Sequence, residues 1–174
     1  MYYYYRPFSL DEWVSKLFIK MGINKPEDIC IQTIAKKLNI YLLFSSKRSY
    51  SRVIGNFKLI NINNKLSAKK KREVFFHELC HVIRHEGFQY KGMTEAFREL
   101  QERDACHFIR YAAIPYHMLK YIDWSSPTLI GDMANSFSIS EEICKYRVNH
   151  IKRNCRMEES VKSKILENAF VYNV

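Results

Sequence analysis

The sequence lacks the features of exported, membrane-spanning and repetitive proteins. Its first residues contain no basic segment leading into an apolar run, so we do not expect a signal peptide. No apolar stretch approaches the roughly 20 residues that a transmembrane helix needs. There is also no internal repeat. These absences predict a cytoplasmic protein without a membrane partner.

The cysteines follow neither the pattern of a disulfide framework nor that of a cysteine zinc site. There are five, an odd number, at irregular spacing and without a Cys-x-x-Cys pair. Unpaired cysteines are typical of a reducing compartment, which again indicates the cytoplasm.

Acidic residues are scarce relative to basic ones. The chain has 28 Lys and Arg against 18 Asp and Glu, which gives a formal net charge of +10. Such a balance favours acidic partners, nucleic acid among them, but says nothing about the fold. We interpret it as a basic, solvated surface, with nucleic-acid binding possible but not favoured. A chain of 174 residues suffices for one domain with a substantial core, or for one domain and a small appendage.

The most informative stretch runs from Val74 to Ile83. Seven of its ten residues are apolar, and the other three, His77, Glu78 and His81, form a His-Glu-x-x-His motif. A helix this apolar is buried, and buried imidazoles and carboxylates need a partner. The two histidines lie one turn apart on one helix face and can bind one zinc ion. Glu78 then suits a general base acting on a water molecule.

A third histidine, His85, shares the face of the motif histidines. It follows His81 by four residues and His77 by eight. Eight residues correspond to about 12 Å of helix rise, which is too long for one metal ion to bind both ends. We therefore predict that His85 supports the site or ends the helix, where a cation meets the favourable dipole.

The hydrophobic pattern predicts an α+β fold with a small, mostly antiparallel sheet. A capping box at residues 9–12 indicates a first helix that Gly22 ends. Residues 41–44 form a strand, and residues 52–62 form a hairpin that turns at Gly55-Asn56. One strand of this hairpin is a candidate for pairing with an extended substrate.

The motif helix and the helix after it have clear start signals. Ser67 is a predicted N-cap of the motif helix, and Thr94 is a predicted N-cap of the next helix. That second helix is expected to end near Ile114, because Pro115 follows it.

A catalytic zinc site needs a third protein ligand besides the two histidines. The helix after Thr94 offers four acidic residues, namely Glu95, Glu99, Glu102 and Asp104. A helix ion pair and the helix dipole account for the first two. Glu102 shares a stripe with Ala105 and Ile109, where a carboxylate needs a partner. Asp104 also lies among apolar residues, so periodicity favours Glu102 slightly and leaves Asp104 open.

Two motifs together resemble the ImmA/IrrE family of metallopeptidases. The first is His-Glu-Leu-Cys-His from His77 to His81. The second is Glu-x-x-Ala-x-x-Phe from Glu102 to Phe108, on a helix that runs out at a proline. The resemblance implies a zincin-like fold, with His77, His81 and Glu102 as the zinc ligands and Glu78 as the catalytic base. One departure is Cys106, which stands where the family often has asparagine.

The same resemblance implies a biological role. Members of the family cleave, or trigger the loss of, a transcriptional repressor that is often encoded beside them on a bacterial phage or integrative element. We therefore expect a zinc-dependent endopeptidase whose substrate is a helix-turn-helix repressor protein.

Residues 130–148 resemble a helix-turn-helix unit with its turn at 138–140. Glu141 and Glu142, in the first turn of its second helix, would repel phosphates, so we interpret the unit as packing rather than DNA-reading. We expect a zincin-like core over residues 1–122 and a C-terminal helical segment over 123–174 packed on it. The alternative function is a DNA-binding transcriptional regulator with a structural metal site.

Overall fold

The computed structural model describes residues 5–85 and 94–155. The helices are α1 (Ser9–Lys20), α2 (Ile31–Lys37), α3 (Ala68–Arg84), α4 (Glu95–Ala113), α5 (Leu129–Ser136) and α6 (141–155). Short 3₁₀ turns cover Pro26–Asp28 and Tyr116–Tyr121. The strands are β1 (Ile40–Ser45), β2 (Tyr50–Ile54) and β3 (Phe57–Asn63). The α+β class predicted from the sequence is confirmed.

The sheet is mixed, so the prediction of a mostly antiparallel sheet is wrong. The strand order is β1-β3-β2, in which β2 pairs antiparallel with β3 and β1 pairs parallel with β3. Strand β3 thus inserts between the two strands that precede it. Residues 46–49 connect β1 to β2 across a gap of about 10 Å, which four residues can span.

The predicted hairpin turn is confirmed. Ile54 pairs with Phe57, so Gly55 and Asn56 form a two-residue loop between β2 and β3. Gly55 has a φ of 55°, a left-handed conformation that glycine adopts without the steric cost of a side chain. Because β3 pairs with β1 on its other side, β2 is an edge strand of the sheet.

Helix α1 begins differently from the prediction and ends as predicted. Ser9 lies inside the helix, Phe8 is the N-cap, and no side chain caps it, so the capping box is not formed. At the other end the N–H of Gly22 donates to the carbonyl of Ile19, and the N–H of Ile23 donates to that of Phe18. This pair of bonds is a Schellman motif with glycine at its left-handed position.

Helix α3 lies between the sheet and α4. Phe75, Phe76 and Leu79 are fully buried, as are Ile60 and Ile62 of β3. The predicted caps are present at both helix starts. The Ser67 hydroxyl accepts from the N–H of Lys70 at 3.3 Å, and the Thr94 hydroxyl accepts from the N–H of Phe97 at 3.4 Å. Burial of the apolar face of α3 therefore fixes the direction in which its polar residues point.

Polar side chains of α3 hold the ends of α5 and α6. Arg72 Nη1 donates to the carbonyl of Phe137 at 2.6 Å, at the end of α5. The backbone N–H of Ser140, just before α6, donates to Glu73 Oε1 at 2.9 Å. Lys70 Nζ binds the other carboxylate oxygen of Glu73 at 3.0 Å.

A buried ion pair joins α6 to α1. Arg147 Nη2 lies 2.7 Å from Asp11 Oδ1, and both side chains are fully buried. Tyr5 donates its hydroxyl hydrogen to Asp11 Oδ2 at 2.6 Å and accepts from Arg147 Nη1 at 3.1 Å. In the described part of the chain, no helix combines the length and hydropathy needed to cross a membrane.

Candidate metal centre

The two motif histidines lie near the C-terminal end of α3, on the face turned towards α4. Their ring centroids are 4.9 Å apart, as expected for residues one helical turn from each other. The side chain of His77 is 23% exposed and that of His81 is 12% exposed. Both rings are therefore shielded by the fold but accessible from a cleft.

Ligand atoms of three residues converge at this point. His77 Nε2 lies 3.2 Å from His81 Nε2 and 3.2 Å from Glu102 Oε2. His81 Nε2 lies 3.4 Å from Glu102 Oε1. Ligand atoms at zinc bond lengths of about 2.0–2.1 Å in a tetrahedral arrangement are about 3.3 Å apart. The spacing and the chemistry of this donor set therefore fit a zinc ion with one position left for a substrate or water.

The structure brings Glu102, and not Asp104, to the two histidines. Glu102 reaches them from α4, and its side chain is 46% exposed rather than buried among the apolar residues of its stripe. Asp104 lies beside Arg84 and His85 instead. Periodicity favoured Glu102 because a carboxylate on an apolar stripe needs a partner, yet the carboxylate itself faces the cleft.

Glu78 lies beside the two histidines and lines the same cleft. The hydroxyl of Ser51 on β2 lies near enough to its carboxylate to lower its pKa as a hydrogen-bond donor. Burial raises the pKa of Glu78 above its ordinary value, and the neighbouring Glu102 acts in the same direction. The Ser51 hydrogen bond and His77 oppose this rise without cancelling it. A carboxylate with a raised pKa is a stronger base, which suits proton abstraction from water.

The environment keeps His81 neutral. Burial, and then the neighbouring His77, lower the pKa of His81 to about 4. A metal-binding imidazole must be unprotonated, so near neutral pH no proton has to leave His81 before a metal binds.

Behind His81 lies a second group of polar side chains. His81 Nδ1 is 2.9 Å from His85 Nδ1, and His85 Nε2 is 3.0 Å from Asp104 Oδ2. Arg84 holds the same carboxylate through Nε at 3.0 Å and Nη2 at 3.4 Å. His85 thus contacts a motif histidine from behind, as its position on the helix face predicted.

Cys80, His85 and Asp104 also lie close enough to bind a metal, but their chemistry argues against it. The Arg84 guanidinium already occupies the carboxylate of Asp104. Burial, followed by the charge of Asp104, raises the pKa of Cys80 well above its usual range, so the thiol remains protonated. We therefore assign this group to the support of His81.

The motif face opens into a cleft of about 1230 Å³. Strand β2 forms one wall, the end of α3 forms the floor, and Gln101 and Glu102 of α4 lie opposite. Three cations, Arg48, Arg52 and Lys58, also line it. The cleft runs along the edge of the sheet and passes over the convergent ligand atoms.

Sequence reasoning missed two residues of this cleft. Ser51 contacts Glu78, and the charge of Arg48 lowers the pKa of the same carboxylate. Arg48 is held in place where its carbonyl accepts from Asn61 Nδ2 at 3.3 Å. No local pattern marks either residue, because both reach α3 through the strand order of the sheet.

Comparisons with known proteins agree with the motifs. The family model Peptidase_M78, described as the IrrE N-terminal-like domain, matches residues 35–149. The phage-like element PBSX protein XkdA of Bacillus subtilis (strain 168) is 33% identical over 147 residues, covering 83% of this chain and 73% of that protein. The uncharacterized protein YqaB of the same organism is 28% identical over 147 residues, covering 83% and 85%.

A solved structure shares the fold. A Mycobacterium tuberculosis transcriptional regulator superposes with a TM-score of 0.56 at 13% identity, over 79% of this chain. The match covers 45% of that longer chain.

Proposed function

The chain belongs to the ImmA/IrrE family of peptidases, and from this premise we propose that it is a zinc-dependent endopeptidase that cleaves a helix-turn-helix repressor. The observation that supports the proposal most strongly is the convergence of His77, His81 and Glu102 within 3.4 Å, with Glu78 beside them in an open cleft. Two imidazoles, one carboxylate and a free position are the ligand set of a catalytic zinc rather than a structural one.

In the proposed reaction the chain's own residues move the protons. A bound zinc ion would supply Lewis acidity to the attacking water and to the scissile carbonyl. Glu78 takes the proton of the water and later delivers it to the leaving amine. The Ser51 hydroxyl lines the same cleft and favours the charged form of the Glu78 carboxylate.

Strand β2 is well placed to hold an extended substrate. Ile54 and Phe57 flank a two-residue turn and are therefore the closing hydrogen-bonded pair of the hairpin. Because bonding alternates along an antiparallel ladder, Ser51 and Val53 direct their backbone groups away from β3. In the described part of the chain no strand pairs with this edge, which borders the cleft. A peptide can add to it as a further strand.

This edge pairing gives a testable expectation. Val53→Pro removes an outward N–H while leaving the bonds between β2 and β3 in place, so we expect KM for a peptide substrate to rise about tenfold, the loss of roughly one hydrogen bond. Val53→Ala shortens the same side chain but keeps the N–H, and is the matched control. Equal KM values for the two variants, both folded by circular dichroism, would contradict substrate binding at β2.

The proposed substrate follows from the family resemblance, and a relative indicates a matching genetic setting. The 33% identical protein is named as a phage-like element protein. We expect purified, zinc-loaded protein to cut the helix-turn-helix repressor encoded beside its own gene at a single site, detected by intact mass spectrometry. A repressor left whole, together with no cleavage of a generic unfolded protein, would contradict the peptidase proposal.

The alternative, a DNA-binding regulator with a structural metal, has weaker support. The first turn of α6 carries Glu141 and Glu142, which repel phosphates, and its start is bound by Glu73 of α3. A structural metal site also has no use for a base such as Glu78. The likeness to a solved transcriptional regulator concerns the fold alone.

A cytoplasmic location belongs to the same proposal. None of the five cysteines, all within the described part of the chain, forms a disulfide, and three of them, Cys80, Cys144 and Cys155, are buried. Free thiols are stable in a reducing compartment, which is also where a repressor would be met.

A further inference from the structure

We propose that His85 and Asp104 form a positioning chain behind His81 that fixes which nitrogen of His81 faces the metal. The inference rests on the proposed metal site and deepens it. It concerns residues that bind no metal themselves and act only through His81.

The contacts run in one unbroken line. His81 Nε2 belongs to the three convergent ligand atoms, and the other nitrogen of the ring, Nδ1, lies 2.9 Å from His85 Nδ1. The far nitrogen of His85, Nε2, lies 3.0 Å from Asp104 Oδ2. This line of contacts therefore ends on a carboxylate of α4, two residues after Glu102 on the same helix.

The chemistry of imidazole fixes the direction of each hydrogen bond. A neutral histidine has one N–H donor and one nitrogen acceptor. If His81 Nε2 offers its lone pair to a metal, Nδ1 carries the hydrogen and must donate to His85 Nδ1. His85 then carries its own hydrogen on Nε2 and donates it to Asp104, which as a carboxylate can only accept. Each atom in the line has a single compatible role.

Other groups hold Asp104 in its accepting role. The Arg84 guanidinium binds both carboxylate oxygens, and it lies over the Trp13 ring of α1 at 5.4 Å. The Cys80 thiol also donates to Asp104 Oδ2 at 3.6 Å. These contacts tie the Asp104 carboxylate to α3 and, through the Arg84 guanidinium over the Trp13 ring, to α1.

These contacts hold His81 in the tautomer that offers its Nε2 lone pair to a metal. Without His85 and Asp104, His81 could place its hydrogen on Nε2 and present a donor where a lone pair is needed. Partners that orient a ligating histidine are typically worth about 10- to 100-fold in metal affinity. Here two side chains in series, His85 and then Asp104, act as the orienting partner of His81.

Zinc affinity of the full chain tests this directly, measured by competition with a chromogenic chelator. We expect Asp104→Asn to weaken zinc binding about 10- to 100-fold, because the amide loses the charge that draws the hydrogen of His85. Glu141→Gln is the matched control. It also exchanges one carboxylate for an amide, but at an exposed position of α6, and leaves the line from His81 to Asp104 in place, so zinc affinity should fall less than about fivefold.

Nitrogen NMR of the histidine rings adds a readout that a purely structural role would not change. In the zinc-loaded wild type, His81 should carry its hydrogen on Nδ1 and His85 should carry its hydrogen on Nε2. In Asp104→Asn, we expect His85 to lose that preference.

The possible outcomes distinguish a failure of the proposed metal site from a failure of the positioning chain. Wild type that binds no zinc would overturn the proposed metal site itself. Zinc binding that is equally tight in wild type and Asp104→Asn would overturn only the positioning chain. Equal losses in Glu141→Gln and Asp104→Asn would also overturn it, since the loss of one negative charge would then explain both.

Discussion

Glu78→Gln should lower the rate of repressor cleavage by about 10²- to 10⁴-fold while leaving bound zinc unchanged. The amide has nearly the shape of the carboxylate but accepts no proton from water. Its side chain is outside the group of atoms that converge from His77, His81 and Glu102, so the donor set remains intact. The measurement is the initial cleavage rate together with zinc content per chain on the same sample.

The opposite pattern is expected for Glu102→Ala. This change removes one of three ligand atoms, so zinc content after dialysis should fall well below about one ion per chain, and cleavage should fall with it. Glu141→Gln, an exposed acid at the start of α6, serves as the control and should alter neither quantity. Cleavage by Glu78→Gln at the wild-type rate would show that another group is the base.

Asp11→Ala should destabilise the fold more than any change at the metal centre. It leaves the Arg147 guanidinium buried without its carboxylate, which typically costs about 3–5 kcal/mol. Asp11 also accepts from Tyr5 at 2.6 Å, so a second buried group loses its partner. Against a total stability of about 5–15 kcal/mol, we expect a large fall in the urea midpoint at unchanged slope.

Two controls separate the charge from the packing. Glu12→Ala removes the neighbouring exposed acid, which pairs with Lys16, and should cost no more than about 0.5 kcal/mol. The double variant Asp11→Leu with Arg147→Met replaces the ion pair by apolar groups and should recover much of the loss. A free energy of unfolding within about 1 kcal/mol of wild type for Asp11→Ala would contradict a buried, uncompensated charge.

Most of the local features of the fold could be predicted from the sequence. His77 and His81 meet because four residues make slightly more than one helical turn, and no other part of the fold is needed for that. Ser67, Thr94 and Gly55 act through neighbours in the chain, and the structure has all three in the predicted roles. The local pattern was not enough to identify Glu102. Two acids of α4 lay among apolar residues, periodicity favoured Glu102 only slightly, and the family motif decided between them.

The rest depends on packing between distant segments. The hairpin was local and predictable, but β1, which packs against α2, joins it on the β3 side and parallel to β3, so the sheet is mixed. The pairing of His85 with Asp104 arises from how α3 lies against α4. Ser51 reaches Glu78 only because β2 is the edge strand above α3.

Helix α3 also limits where this protein can change in length. Glu73, His77, His81 and His85 follow each other at intervals of four, so the bond that holds the start of α6 and the metal-facing atoms share one helical register. One inserted or deleted residue between Glu73 and His85 would rotate everything beyond it by about 100°. Relatives are therefore free to gain or lose residues in surface connections, whereas this stretch can vary only by substitution.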